Sequence, residues 1–140
     1  MENEDRILLL TDKGIKPTPN RILVLKELDR ATRPVNLADL EATLSPMDKV
    51  SIFRVLELFV EKEMVHVIED GSRSMKYELC RGKSHHSLSD QHVHFYCTSC
   101  KETFCFEEIA LPSVEVPEGF RPKTGNFTLK GLCPKCDSRS

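Results

Sequence analysis

Two short cysteine pairs constrain the fold of this chain more than any other feature of its sequence. Cys97 and Cys100 form one C-x-x-C pair, and Cys133 and Cys136 form a second one after 32 intervening residues. A C-x-x-C turn places two thiolates on one side of a tight loop, and two facing loops close a tetrahedral shell of four sulfurs. A single pair could be a redox dithiol, but two pairs within residues 91–140 predict a structural zinc ion that this stretch needs in order to fold.

Length and composition limit the class of protein. A chain of 140 residues with 39% apolar residues can form one ordinary domain or two small ones. The opening residues MENEDRILLL do not resemble a signal peptide, and no apolar stretch approaches the ~20 residues of a membrane span. We therefore expect a cytoplasmic protein with no membrane partner, in which six cysteines serve as thiolates or metal ligands rather than disulfides.

The first 80 residues have the pattern of short helices followed by a β-hairpin. Asn36, with Asp39 three residues later, predicts one helix start, and Ser45-Pro46 predicts the start of the last and longest helix. The segments MVHVI and SMKYEL, joined by a turn at EDGS, predict two paired strands. This order predicts a winged helix-turn-helix domain, in which the last helix enters the DNA major groove and the hairpin is the wing.

Charge alone does not decide whether this domain binds DNA. Residues 1–83 carry 14 Lys and Arg against 15 Asp and Glu, and the whole chain has a net charge of −2. The basic residues are nevertheless placed where a DNA-binding domain would use them, since Lys16 and Arg21 precede or open the second helix and Lys49 and Arg54 lie near the start of the fourth. A small α+β domain with no nucleic-acid function remains the alternative.

The second half of the chain changes character. Residues 81–90, RGKSHHSLSD, are polar and lack apolar periodicity, which predicts a hinge. Residues 91–140 contain three strand-like segments, and Pro112 and Pro117 exclude a long helix between them. We thus expect an α+β protein with a DNA-binding domain over residues 1–80 and a small α/β dimerisation domain, holding the four-cysteine zinc site, over residues 91–140.

Histidines next to the first cysteine pair indicate a second metal site. In a strand, His92 and His94 would share one face, and Cys97 would point to the opposite face, so the two imidazoles are separate from the four-cysteine site. A pair of solvated surface histidines is the simpler alternative. Two further metal-binding side chains, His66 in the first wing strand and Cys80 at the end of the second, make a regulatory site the stronger hypothesis.

Four segments in order resemble the ferric uptake regulator family of bacterial metal-sensing repressors. They are GIKPTPNRILVLKEL, VSIFRVLELFVEKEMV, HVHFYCTSC and GLCPKC, which together span nearly the whole chain. The resemblance implies a homodimer that binds double-stranded operator DNA. It also implies that Arg54 and Phe53 face the bases with Ser51 beside them, while Lys16 and Arg21 lie near the backbone or minor groove. Phe53 departs from the usual tyrosine of the family.

The resemblance also bears on the sensed metal. Iron sensors of the family share a pattern in which this chain has Pro34 and Cys105 at two ligand positions, so that only Glu78 and the two strand histidines match. The zinc uptake regulators resemble it more closely, with His66, Cys80, His92 and His94 as the implied ligands. One thiolate and three imidazoles suit Zn(II), whereas Fe(II) prefers more oxygen ligands. Zn(II) is therefore the expected regulatory metal, with Fe(II) as the alternative.

The expected mechanism is repression in the presence of metal. Metal bound by ligands from the wing and the dimerisation domain would favour one arrangement of the two recognition helices, and DNA would in turn raise the affinity for metal. Two other classes of function remain open. A zinc hydrolase would need an open coordination position and a pocket for a small organic substrate, which we do not expect; a zinc-ribbon adaptor would bind only proteins.

Overall fold

The computed structural model describes residues 2–69, 71, 74–80, 92–123 and 125–137. The predicted hinge, residues 81–90, lies outside this range. The helices and strands follow in the order α1 (Asn3–Asp12), α2 (Pro19–Arg30), β1 (Val35–Asn36), α3 (Leu37–Thr43), α4 (Lys49–Glu61), β2 (Val65–Ile68), β3 (Lys76–Leu79), β4 (His92–Cys97), β5 (Thr103–Ala110) and β6 (Thr128–Gly131). No helix in these ranges has the length and apolarity that crossing a membrane requires.

Side-chain caps fix where the helices begin. At α3 the predicted start is confirmed, because Asn36 Oδ1 accepts from the Asp39 N–H (2.8 Å) and Asp39 accepts from the Asn36 N–H (3.1 Å). The predicted start of α4 at Ser45-Pro46 is wrong. Asp48 caps that helix, with its Oδ1 atom accepting from the Ser51 N–H at 2.7 Å, so the first helical residue is Lys49.

The first compact unit comprises residues 2–68 and 75–80. Its sheet is antiparallel with the strand order β1-β3-β2, and Val65 pairs with Leu79 and Val67 with Tyr77. Helix α4 supplies much of the core because it is apolar along one face. The fully or nearly fully buried residues of α4 are Ile52, Val55, Leu56 and Phe59. Helices α1 to α4 and the β2–β3 hairpin together form the predicted winged helix-turn-helix.

The second unit takes in the tip of the hairpin, residues 69, 71 and 74, and the described residues from 92 onwards. Its strands follow the order β5-β4-β6, in which β5 is antiparallel and β6 parallel to β4. Among its described residues this unit contains strands and no helix, and the α+β class of the whole chain is confirmed. Pro112 and Pro117 lie between β5 and β6, where the described residues form no helix, as the sequence predicts, since proline interrupts the hydrogen bonding of a helix.

Few residues are buried in this second unit. Its buried apolar residues are Val93, Tyr96, Cys97 and Cys133, whereas the first unit has a core cluster of fifteen. Phe95 and Phe106 add a stacked ring pair with centroids 5.9 Å apart, and the Phe95 ring lies over Gly131, where an added Cβ would come within 3.3 Å of it. Two of the four most buried apolar side chains in this unit are therefore cysteines of the predicted zinc site.

Candidate metal centre and nucleic-acid interface

The four cysteines of the two C-x-x-C pairs form one cluster. The Sγ atoms of Cys97, Cys100, Cys133 and Cys136 all lie within 4.8 Å of one another. Cys97 and Cys133 are buried, Cys136 is half-buried and Cys100 is exposed. Because Cys97 ends β4 and Cys133 follows β6, the parallel pairing of these two strands brings the two loops together.

Backbone hydrogen bonds hold both loops in place. In the first loop, the Lys101 N–H donates to the Cys97 carbonyl (2.9 Å), and the Cys97 N–H donates to the Glu102 carbonyl (2.9 Å). Lys101 has a φ of 67°, a left-handed conformation that lets the chain turn back into β5. In the second loop, the Cys136 N–H donates to the Cys133 carbonyl at 3.0 Å. Backbone hydrogen bonds therefore define the conformation of both turns.

The geometry of the sulfurs fits tetrahedral zinc. A Zn–S bond of about 2.3 Å places two sulfurs of a tetrahedron about 3.8 Å apart. The Cys100 and Cys133 Sγ atoms are 3.9 Å apart. Four thiolates are also the donor set of closed structural zinc sites, so the residues present fit a zinc ion.

The environment of the cluster already favours a thiolate at Cys97. Backbone N–H groups of Cys100 and Cys133 lower the pKa of Cys97 to about 6, and the Cys133 N–H lies 3.5 Å from its Sγ atom. Cys136 behaves in the opposite way, because sharing a hydrogen bond with the Cys133 thiol raises its pKa to about 11. Since zinc binds thiolates, loading this site releases protons.

A second pair of donors lies on the other face of β4. His94 pairs directly with Cys105 of β5, and a ring nitrogen of His94 lies within 4.8 Å of the Cys105 Sγ atom. Cys97 has the opposite parity on β4, so this pair is separate from the four-cysteine cluster. The Cys105 side chain is half-buried and shares a face of the sheet with His94.

His92 lies two residues before His94, but the pairing of the strands changes between them. His92 pairs with Ala110 and Val93 with Phe106, so β5 carries an irregularity at this point. The His92 Nδ1 atom is buried and accepts or donates no hydrogen bond within the described part of the chain. A buried imidazole nitrogen of this kind is a suitable metal donor, since buried polar atoms otherwise find partners.

In the first unit, the strand register places the predicted wing residues on one face. His66 pairs directly with Glu78 across the β2–β3 hairpin. Cys80 follows β3 at the same parity as Glu78, and its N–H donates to the Met64 carbonyl at 2.9 Å, which continues the pairing by one step. His66, Glu78 and Cys80 are half-buried and project from the same side of the wing.

The residues predicted to contact DNA lie on α4, before α2 and in the first turn of α2. Lys49, Phe53 and Arg54 are exposed on the side of α4 away from its buried face, and Ser51 is half-buried in the first turn, where its N–H reaches Asp48. The hydrogen bond to Ser51 and the charge of Arg54 lower the pKa of Asp48. The N-terminal half of α4 therefore presents two cations next to one carboxylate that is tied to the helix end.

Lys16 and Arg21 also lie close together. The Arg21 Nη1 atom donates to the Lys16 carbonyl at 2.8 Å, and the Lys16 side chain is exposed. Arg21 thus fixes the backbone that carries Lys16, which was not expected from the sequence. In the sequence, the only indication of this contact is that Lys16 and Arg21 are five residues apart, on either side of the start of α2.

A family model identifies the chain. The model of the ferric uptake regulator family matches residues 12–131. The chain belongs to the ferric uptake regulator family. Because that match covers the first cysteine pair and α4, it confirms the family resemblance, and the function class is that of a metal-responsive transcriptional regulator.

Individual members of the family are only distantly similar. The ferric uptake regulation protein of Campylobacter jejuni is 27% identical over 144 residues, which cover 94% of this chain and 85% of that protein. The Helicobacter pylori ferric uptake regulator, described as having three functional metal-binding sites, has a TM-score of 0.68 at 16% identity and covers 100% of this chain and 97% of its own. A zinc uptake regulator in complex with zinc and DNA has a TM-score of 0.65 at 17% identity, covering 95% and 91%. At these identities the structures establish the fold alone.

Proposed function

We propose that this protein is a zinc-responsive repressor that binds operator DNA as a homodimer in the cytoplasm. Membership of the ferric uptake regulator family supplies the coarser function, and the choice of zinc rests on the donors of the chain itself. The observation that carries this choice is the thiol of Cys105 opposite His94, on the face of β4 away from the four-cysteine cluster. Thiolate and imidazole donors favour zinc over metals that prefer oxygen.

The four-cysteine cluster is the proposed structural zinc site. Its ligands would be Cys97, Cys100, Cys133 and Cys136, which fit a tetrahedral zinc ion in number, type and spacing. A closed shell of four thiolates leaves no open position for a substrate, so the zinc at this site would stabilise the second unit and take no part in sensing.

The regulatory zinc would use a different set of donors. We keep His66, Cys80, His92 and His94 as the proposed ligands and add Cys105 because of its position opposite His94. Fe(II) is the second candidate, which is favoured by the carboxylate of Glu78 directly opposite His66 on the wing. Binding of the metal would shift the population of the protein toward the form that binds DNA, and DNA would tighten the metal to the same extent.

DNA recognition is assigned to α4, to the start of α2 and to the turn before α2. Arg54 would contact a guanine edge and Phe53 a thymine methyl group, since these are the pairings that major-groove geometry favours. Lys16, Arg21 and Lys49 would contact phosphates or the minor groove, and Ser51 would lie beside the bases. The support for this assignment is the exposure of the N-terminal half of α4 together with the buried apolar face behind it.

A second copy of the chain would cover the apolar surface of the second unit. The structure exposes more large apolar side chains in this unit than it buries, and a metal-bound lobe with so small a core is expected to gain stability from a partner. The exposed residues are Ile109, Val114, Val116, Phe120, Phe127, Leu129 and Leu132. Sedimentation of Phe120→Ser, with Leu8→Ser of the first unit as the matched control, tests this: only the first variant should shift toward monomer.

Metal counting and DNA binding test the proposal together. The reduced wild-type protein should hold about two zinc ions per chain, one resistant to a weak chelator and one that is removed with the loss of DNA binding. Cys105→Ser and Cys80→Ser should each retain the resistant zinc, and each should need at least about tenfold more free zinc to bind DNA. If neither variant changes the zinc response while Glu78→Gln abolishes it, the regulatory site is of the oxygen-rich type and the zinc assignment is wrong.

A further inference from the structure

Helix α4 exposes an apolar side chain that the DNA contacts proposed above do not use. Val50, in the first turn, has 58% of its surface exposed, and Phe53, three residues later, has 39% exposed. Residues three apart in a helix lie on the same face. Val50 and Phe53 therefore form a two-residue apolar strip on the side of α4 that points away from the core.

The fold does not account for this strip. The residues that attach α4 to the first unit lie on its other face, where Ile52, Leu56 and Phe59 are fully buried. Val50 belongs to neither the core cluster nor the half-buried residues packed against it. A β-branched residue is also slightly unfavourable in a helix, so the first turn gains nothing from valine as a helix former.

The charges along α4 indicate which half of the helix would face a polyanion. Lys49 and Arg54 flank the strip, whereas Glu57 and Glu61 are exposed farther along the helix. Phosphates would be attracted to the first half of the helix and repelled from the second half. The free N–H groups at the helix start do not provide a competing anion site, because the carboxylate of Asp48 already accepts from Ser51.

The N-terminal residues of a recognition helix are those that reach base edges in the major groove. At these edges thymine alone presents a methyl group, and apolar side chains contact it. We propose that Val50 is a specificity-determining residue that reads the methyl group of a thymine next to the one met by Phe53. This inference rests on the proposed DNA-binding function and adds a preference for neighbouring thymines in the operator.

Replacing single thymines by uracil tests the inference, because uracil lacks only the methyl group. The probe is a duplex enriched from a random-sequence pool by the zinc-loaded full-length protein, and uracil is then placed at one thymine at a time. Loss of one buried methyl group costs about 0.8 kcal/mol, which corresponds to about a fourfold weaker affinity. Wild type should show this loss at two neighbouring positions at least.

Val50→Ala should abolish the loss at one of these positions and leave the other unchanged, and Val50→Thr, of nearly the same shape, should retain a partial effect. Leu23→Ala, which removes an exposed apolar side chain from α2, is the matched control and should respond to uracil as wild type does. Helical circular dichroism and zinc content establish that the variants are folded.

The outcomes separate this inference from the proposed function. If wild type enriches no duplex sequence over random DNA, the proposed function fails and the inference fails with it. If wild type binds a specific duplex but Val50→Ala keeps every uracil effect of wild type, only the role of Val50 is refuted. If Val50→Ala keeps the uracil sensitivity of wild type but self-associates more weakly, Val50 and Phe53 contact a second copy of the chain rather than DNA, and the inference is refuted.

Discussion

Replacing Cys133 by serine should unfold the second unit and leave the first unit intact. Cys133 is buried, its Sγ atom lies 3.9 Å from that of Cys100, and its N–H donates toward the Cys97 sulfur. Serine removes one of the four thiolates and introduces a hydroxyl that binds zinc poorly at neutral pH. The zinc ion would then be held by three sulfurs in a lobe that has little else to keep it folded.

The size of the effect follows from what remains in the lobe without zinc. Burial of Val93 and Tyr96 contributes about 1.5–3 kcal/mol each, hence about 3–6 kcal/mol together. A structural zinc site contributes an apparent 10–16 kcal/mol, roughly, in small zinc-dependent domains at neutral pH. Because the apolar contribution is much the smaller of the two, weakening the zinc site should be enough to unfold the unit.

The location of the helices makes the assay selective. All four helices of the described chain belong to the first unit. Cys133→Ser should therefore keep its helical circular dichroism while it loses the tightly held zinc, the dimer, and the amide-exchange protection of β4 and β6. Cys105→Ser is the matched control, since this half-buried thiol lies outside the four-cysteine cluster and its loss should leave that zinc bound. A Cys133→Ser protein that keeps a chelator-resistant zinc and a protected β4 would refute the reasoning.

Three further predictions concern the other parts of the molecule. Arg54→Ala should weaken binding to the enriched duplex by about 1–3 kcal/mol and relax the base preference at one position. Glu57→Ala, one turn farther along α4, should not weaken binding to that duplex. Equal affinities of wild type and Arg54→Ala would disprove the placement of α4 on the DNA. His94→Ala should stay folded and retain the structural zinc but lose metal-dependent DNA binding, which zinc counting and a binding titration would show. Phe59→Ala should lower the free energy of unfolding of the first unit by about 3–5 kcal/mol, because Phe59 is fully buried. Denaturant unfolding followed by the helical circular dichroism measures this change, and an unchanged stability would show that the core is wrongly placed.

The sequence predicted those parts of the fold that depend on local chemistry. Asn36 and Asp39 cap α3 as expected, because a capping box needs only residues three apart. Ser45-Pro46 resembles a helix start just as well, but Asp48 has a better-placed carboxylate and begins α4 three residues later. Competing caps within a few residues differ by little in energy, so a sequence pattern alone does not decide between them.

In the metal-binding parts of the chain, too, the sequence predicted what depends on local structure and did not predict what depends on long-range packing. The two C-x-x-C pairs predicted the cluster of four sulfurs because each pair forms its loop locally and four thiolates are the donor set of a closed zinc site. The position of Cys105 opposite His94 could not be read from the sequence in the same way. It depends on the register of β4 against β5, and that register shifts between His92 and Val93. A strand register of this kind is set by long-range packing.

The most direct test of the central claim is a titration of DNA binding against free Zn(II) and free Fe(II) under reducing, anaerobic conditions. The duplexes would be enriched from a random-sequence pool once with each metal, so that the choice of probe favours neither. The protein should already hold its four-cysteine zinc before the titration begins. We expect Zn(II) to raise the affinity for DNA by at least about tenfold as a second ion binds to each chain, and Fe(II) to have a weaker effect. Tight, specific DNA binding driven by Fe(II) but not by Zn(II), or binding that is independent of any second metal ion, would contradict this expectation.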